Sequence, residues 1–182
     1  VNLQIVELTR EGLGIRSTAR VLKISPTTLI KKIIQIADTL RPPNISKGKT
    51  YEVDEIKTYW KKKGRAIWIV YALDRKTKQV VSFNVGGRSN KTLKVIVNTL
   101  MLSEAKRIYT DRFPNYQYII DKRKHRVCFY GTNHIERKNL TLRTHLKRLQ
   151  RRTICFSRSI KMLFACLKLY FFSPKVLFIR FN

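Results

Sequence analysis

Acidic residues are scarce in this chain. Its 182 residues hold 11 Asp and Glu against 39 Lys and Arg, a formal net charge of +28. A compact domain with that charge repels itself, so a polyanion is the expected partner, DNA or RNA before any other. The charge alone leaves open a ribosomal-type structural protein or a membrane-surface protein. Cysteine is equally sparse. Cys128, Cys155 and Cys166 lie too far apart for a zinc knuckle, a redox pair or a disulfide framework. They read as reduced core thiols of a cytosolic protein. Long apolar runs are missing too. The stretch from Met162 to Phe172 is broken by Lys168 and falls short of the ~20 residues that span a bilayer. The opening VNLQIVELTREGLG carries acids and no apolar run, unlike a signal peptide. The expectation is a soluble, cytoplasmic chain with no membrane partner.

What is present suffices for a core, since 43% of residues are apolar. The charge is uneven. Residues 1–50 carry nine bases and three acids, 51–136 eighteen and eight, and 137–182 twelve and none. Eight of the eleven acids thus sit in the middle segment, which is where acid-dependent chemistry is sought.

Arg41-Pro42-Pro43-Asn44 breaks the chain, because neither Pro nor the residue before it favours helix. Before the break, Ile15, Ala19 and Leu22 follow helical spacing. Ser25 and Pro26 are the cap and first residue of a following helix carrying Leu29, Ile33 and Ile36. The spacing predicts a helix-turn-helix, with Lys23 where Gly is common in the turn. Thr27, Thr28, Lys31 and Lys32 would then face a DNA groove and its phosphates. An ordinary helical hairpin fits the same spacing.

After the break, strands are expected over Thr50–Ile56, 67–73 and Val80–Val85, then a helix over Thr92–Leu102. A short strand ending at Asp111, a short helix after Pro114 and a strand over Arg126–Phe129 follow. A long helix begins at Asn133, its stripe Ile135, Asn139, Leu142, Leu146 and Leu149. This order predicts an α/β fold, a mixed sheet flanked by helices. The division expected is 1–41 helix-turn-helix, 42–49 linker, 50–172 catalytic domain and 173–182 a strand-like or loose tail.

Three acids stand where a site can form. Asp54 lies in a strand and shares a face with Glu52 and Ile56. Asp111 follows a short strand, and Glu136 sits on the first turn of the long helix, where the dipole favours an anion. Were they to converge, their mutual repulsion would be relieved by Mg²⁺ or Mn²⁺, two such ions serving phosphodiester chemistry. Glu55 replaces Asp54 if the strand register shifts by one. Asp74 reads as a hairpin-turn residue, and Glu104 and Asp121 as surface partners of Lys and Arg.

The stretch from His134 through Glu136, Arg137 and Asn139 to Leu149 resembles the C-terminal signature of insertion-sequence-one family transposases. Ser157–Ile160, Val53-Asp54-Glu55, Ala72–Thr77 and Tyr109–Pro114 match in order. The resemblance implies an RNase H-like DDE domain with Asp54, Asp111 and Glu136 as catalytic acids and metal ligands. Twenty-four residues lie between the last two, the family's short spacing. It further implies cleavage at insertion-sequence ends and transfer of the freed strand into target DNA. Double-stranded DNA, both terminal repeats and target, would be the partner of a homo-oligomer associated with the nucleoid. Arg143 and Lys147 on and after the long helix would touch DNA phosphate. A DNA-binding remnant without catalysis is the alternative.

Overall fold

The computed structural model describes residues 1–174. The strand-like end expected at the C-terminus lies, from position 175 onward, outside the described residues. Three helices come first: α1 Asn2–Arg10, α2 Ile15–Val21 and α3 Pro26–Thr39. Strands β1 Thr50–Tyr59, β2 Ala66–Asp74 and β3 Val80–Gly86 follow, then α4 Asn90–Leu102 and β4 Arg107–Tyr109. After α5 Asn115–Ile119 come β5 His125–Arg126, α6 Asn133–His145 and α7 Ile160–Phe172.

The strands form one five-stranded sheet in the order β3-β2-β1-β4-β5. β1 runs antiparallel to β2 and β2 to β3, while β4 is parallel to both β1 and β5. Two tight hairpins followed by a helical crossover past β1 give this order. It is the RNase H-like arrangement.

The central strands are apolar on both sides because helices cover both sides. On one face Tyr51, Val53, Val70 and Ala72 pack with Leu93, Ile96, Val97 and Leu100 of α4. On the other, Ile56, Ile69, Tyr71 and Leu73 pack with Ile135 and Leu142 of α6 and Leu163 and Leu167 of α7. The alternation expected for β1 holds, with Glu52 and Asp54 toward α6 and Glu55 toward α4 and α5.

β1 runs three residues further than expected, to Tyr59, Cys128 and Cys155 are exposed where core thiols were expected, and two further boundaries differ. The last strand is shorter and earlier, because pairing with β4 ends at Arg126 and the chain leaves the edge with Val127, Phe129 and Tyr130 exposed. The long helix stops at His145, where Leu146 leaves the helical region at φ −103° and ψ 98°. A 3₁₀ turn over Lys147–Leu149 still carries Leu146 and Leu149 into the core. The N-terminal helices press on this corner. A Cβ at Gly12, whose φ is +76°, would stand 1.8 Å from the His145 carbonyl oxygen, so only glycine fits there.

The turn between α2 and α3 is built as its sequence suggests. Lys23 takes φ +53°, the left-handed position that glycine fills more cheaply. The Ser25 side chain accepts from the Thr28 N–H and Pro26 opens α3. Helix α7 then joins the two ends of the chain. Met162, Ala165, Cys166 and Leu169 pack with Ile5, Val6, Ala19, Leu29, Ile33 and Ala37 of the N-terminal helices. Its other face serves the sheet, so one helix is a wall of two cores. Among the described residues, no helix is long and apolar enough to cross a membrane.

Candidate active site

Strand register brings the first two acids together. In the parallel β1–β4 pairing Glu52 stands opposite Tyr109. Asp54 lies two residues further along β1, and Asp111 two residues past the end of β4. Asp54 accepts a hydrogen bond from the Glu55 N–H at 2.7 Å and another from Asn139 Nδ2 at 2.6 Å. Burial pushes its carboxyl up to about 7, and the charges of Glu55 and Asp111 push the same way against those two bonds. Asp111 is half-buried and accepts from the Phe113 N–H at 3.0 Å.

Helix α6 lies against this strand face and is held at two points. Near its start, the Glu52 carboxylate accepts from the Ile135 N–H at 2.9 Å and from His134 Nδ1 at 2.6 Å. Arg75 stands 3.4 Å from the same carboxylate, whose side chain is 0% exposed. Buried carboxylates persist only when paired and bonded in this way. One turn on, Asn139 donates to Asp54 while its Oδ1 accepts from the Tyr71 hydroxyl at 2.6 Å. Tyr71 is fully buried, and its single hydroxyl proton is shared with the Ile135 carbonyl oxygen at 3.2 Å. A further turn along, Arg143 donates to the Leu149 carbonyl at 2.8 Å. Burial and then Arg151 lower its guanidinium pKa, while Asp54 and Tyr71 act in the opposite direction.

Glu136 is on the first turn of α6 and exposed. Its carboxylate accepts from the Thr132 hydroxyl at 2.7 Å. As the side chains stand, the described residues contain no group of three His, Cys, Asp or Glu able to hold a metal ion. The structure brings Asp111 within electrostatic reach of Asp54 and turns the Glu136 side chain back to its own helix start.

Glu55 is placed on the opposite face. Its carboxylate is bonded by Arg88 at 2.8 Å and by the Tyr116 hydroxyl at 2.7 Å. The Arg88 guanidinium lies over the rings of Phe113 and Trp68, 3.7 and 4.5 Å from their centres. This network backs the loop that carries Asp111.

The residues expected to meet DNA are spread over two places. Thr27, Thr28 and Lys31 are exposed on α3, and Lys32 is half-buried there. Thr28 is also engaged locally, its hydroxyl 2.8 Å from that of Ser25. Lys147 is exposed on the turn after α6, beside the half-buried Arg143. A basic cavity of about 500 Å³ opens at the strand starts, lined by Lys49, Arg75, Lys76, Lys106, Arg107 and Tyr109 among others.

Sequence reasoning passed over Glu52, Tyr71 and the tie from Asn139. For Glu52 a signal existed, since it shares a strand face with Asp54 at two residues' distance. For Asn139 the signal was its place one turn after Glu136. Nothing in the sequence marks Tyr71, which sits in an apolar run.

The five-stranded RNase H-like sheet carries Asp54 in β1 and Asp111 just past the end of the adjacent parallel strand β4. A family model described as IS1 transposase matches residues 49–171, and the chain belongs to this transposase family. Insertion element iso-IS1n protein InsB of Shigella dysenteriae is 37% identical over 111 residues, covering 61% of this chain and 85% of that one. Insertion element IS1 protein InsB of Shigella flexneri is 36% identical over the same shares. IS1 4 protein InsB of Escherichia coli K12 is 36% identical, with 66% of its length covered. A chain of the simian T-cell lymphotropic virus intasome in complex with PP2A regulatory subunit B56 gamma superposes at TM-score 0.46, with 14% identity, over 91% of this chain and 73% of that one.

Proposed function

We propose that this transposase cuts DNA at the ends of an insertion sequence and joins the freed strand to target DNA. Asp54, Asp111 and Glu136 are its catalytic acids. The observation that carries the reading is the buried Asp54, its carboxyl raised to about 7 chiefly by burial and further by the charges of Glu55 and Asp111. A buried carboxylate with a second acid acting on it is costly to ionise unless a cation joins them. Oxygen donors alone suit Mg²⁺ or Mn²⁺, so the donor set fits the divalent ions, in all two, that such chemistry uses. Asp54, Asp111 and Glu136 would hold such ions, which would supply activation of an attacking oxygen and stabilisation of the leaving one. Glu136 completes the donors by giving up its bond to Thr132.

The chain's own groups do the rest. Asn139 and Tyr71 hold Asp54 in one rotamer, and Glu52 fixes the start of α6 next to Glu136. Arg143, Lys147 and the lysines and arginines of the basic cavity take DNA phosphates, the term that dominates affinity and weakens with salt. Helix α3 presents Thr27, Thr28, Lys31 and Lys32 to the terminal repeats. Two element ends must be brought together, so the working form is a homo-oligomer.

Strand transfer by Asp111→Asn in Mg²⁺ tests the reading. Transfer is lost while binding to the terminal repeats stays within about twofold at matched salt. Unchanged transfer removes Asp111 from the site. A wild-type protein that binds the repeats and never cuts them is a DNA-binding remnant.

A further inference from the structure

The segment between β5 and α6 departs from the rest of the surface. Phe129 is 80% exposed and Tyr130 72% exposed, with Val127 45% exposed beside them. The two rings stand edge to face, their centres 5.4 Å apart. Tyr130 takes φ +62°, a position a bulky side chain enters only at a penalty. The following Gly131 is wedged in place, a Cβ there meeting the Tyr109 ring at 2.9 Å and the Cys128 carbonyl oxygen at 3.0 Å. Tyr109 in turn pairs with Glu52 on β1. The loop is thus seated beside the acids, between the strand that leads to Asp111 and the helix whose first turn carries Glu136. Exposed bases flank it, with Lys122, Arg123 and Arg126 just before and Arg137 just after.

We infer that Phe129 and Tyr130 form a stacking platform for an unpaired DNA base next to the cleaved phosphate. Inside a duplex both faces of a base are already covered. A base at a cut or frayed end exposes one, and an aromatic ring can cover it whatever its identity. The neighbouring cations hold the backbone on either side. Charge separates this occupant from a second copy of the chain, since two surfaces with this loop's basic flanks repel each other. The inference rests on the transposase reading, and its test keeps the two apart.

The test compares a blunt duplex with the same duplex carrying an unpaired single-stranded tail, by fluorescence anisotropy at fixed salt. Wild type binds the tailed duplex on the order of 10-fold more tightly. Phe129→Ala and Tyr130→Ala each lose that preference and keep blunt-duplex affinity, since both side chains are exposed and the fold does not lean on them. Phe129→Trp, which keeps a π-face, retains it, and Phe129→Leu does not. A wild type that binds both duplexes equally overturns the platform and leaves the transposase reading standing. Failure to bind either duplex overturns both. Variants that keep the preference but change the oligomeric state in sedimentation make the loop a protein interface, which also overturns the platform.

Discussion

Asn139 Nδ2 donates to Asp54 Oδ2 at 2.6 Å while the Tyr71 hydroxyl donates to Asn139 Oδ1 at 2.6 Å. The amide is therefore oriented from behind, and its donor end is committed to the carboxylate. Removing it in Asn139→Ala leaves Asp54 buried with one bond fewer, which favours the protonated acid. Partners of this kind behind a ligand typically alter metal affinity by about 10- to 100-fold. Mn²⁺ affinity by calorimetry falls by about tenfold in Asn139→Ala. Tyr71→Phe, which leaves the amide present but free to turn, gives a smaller loss. Equal affinity in all three proteins would separate Asn139 from the function of Asp54.

The raised carboxyl of Asp54 links stability to pH. The folded chain holds this proton up to about 7, the unfolded chain only to about 3.9. Between those values the folded state binds more protons, so stability falls as pH rises. The contribution is fully present below about pH 4 and is gone above about pH 7. The gap corresponds to roughly 4 kcal/mol. Asp54→Asn removes the charge but places an NH₂ against one of the two donors that now serve the carboxylate. Its net gain at pH 8 is about 2 kcal/mol, turning into a net loss of about 2 kcal/mol near pH 4, where the wild-type carboxyl is already protonated. Urea denaturation at the two pH values measures it, and a variant equally destabilised at both would refute the buried charge. The same proton competes with a cation. Mn²⁺ affinity of the wild type should drop by about tenfold per pH unit below 7.

Glu52 carries a different burden. Its carboxylate has no exposure and serves His134, the Ile135 N–H and Arg75. Glu52→Ala strands these groups and costs about 3–5 kcal/mol in chemical denaturation. Glu52→Gln keeps the shape and one acceptor, at about 1–3 kcal/mol. Amide exchange at Ile135 and Glu136 speeds up in both, because the strand no longer holds the helix start. Exchange unchanged there would mean that α6 is positioned by its apolar stripe alone.

Much of this was legible in the residues. Strand alternation put Asp54 and Glu52 on one face, and the apolar run of β2 announced a strand covered on both sides. Ser25 and Pro26 marked the start of α3 by capping chemistry. Asp74 accepts from the N–H groups of Lys76 and Thr77, as a hairpin-turn acid should. Glu104 pairs with Lys47 and Asp121 with Arg123 at the surface. What escaped depends on tertiary contact. The end of α6 at His145 is set by the N-terminal loop at Gly12, more than a hundred residues away in sequence. The departure at Arg126 reflects where β4 runs out of partners. The direction of the Glu136 side chain is a rotamer choice, and no spacing rule reaches it.

Helix α7 allows a prediction about how the chain unfolds. A helix-turn-helix ahead of a proline break invites the picture of two bodies melting separately. Yet Leu169, with 0% exposure, lies among Leu29, Ile33 and Ala37, while Leu163 and Leu167 on the same helix lie under the sheet. Losing either core strips one face of α7 and weakens its hold on the other. Leu169→Ala should therefore destabilise the whole chain by about 2–5 kcal/mol, the range for a buried leucine. Circular dichroism of the helices and fluorescence of Trp60 and Trp68 at the sheet should then fall at one denaturant midpoint. In Leu169→Ala both midpoints should shift together. Two transitions, with only the helical one moved, would show that the N-terminal helices and α7 come away while the sheet stays folded.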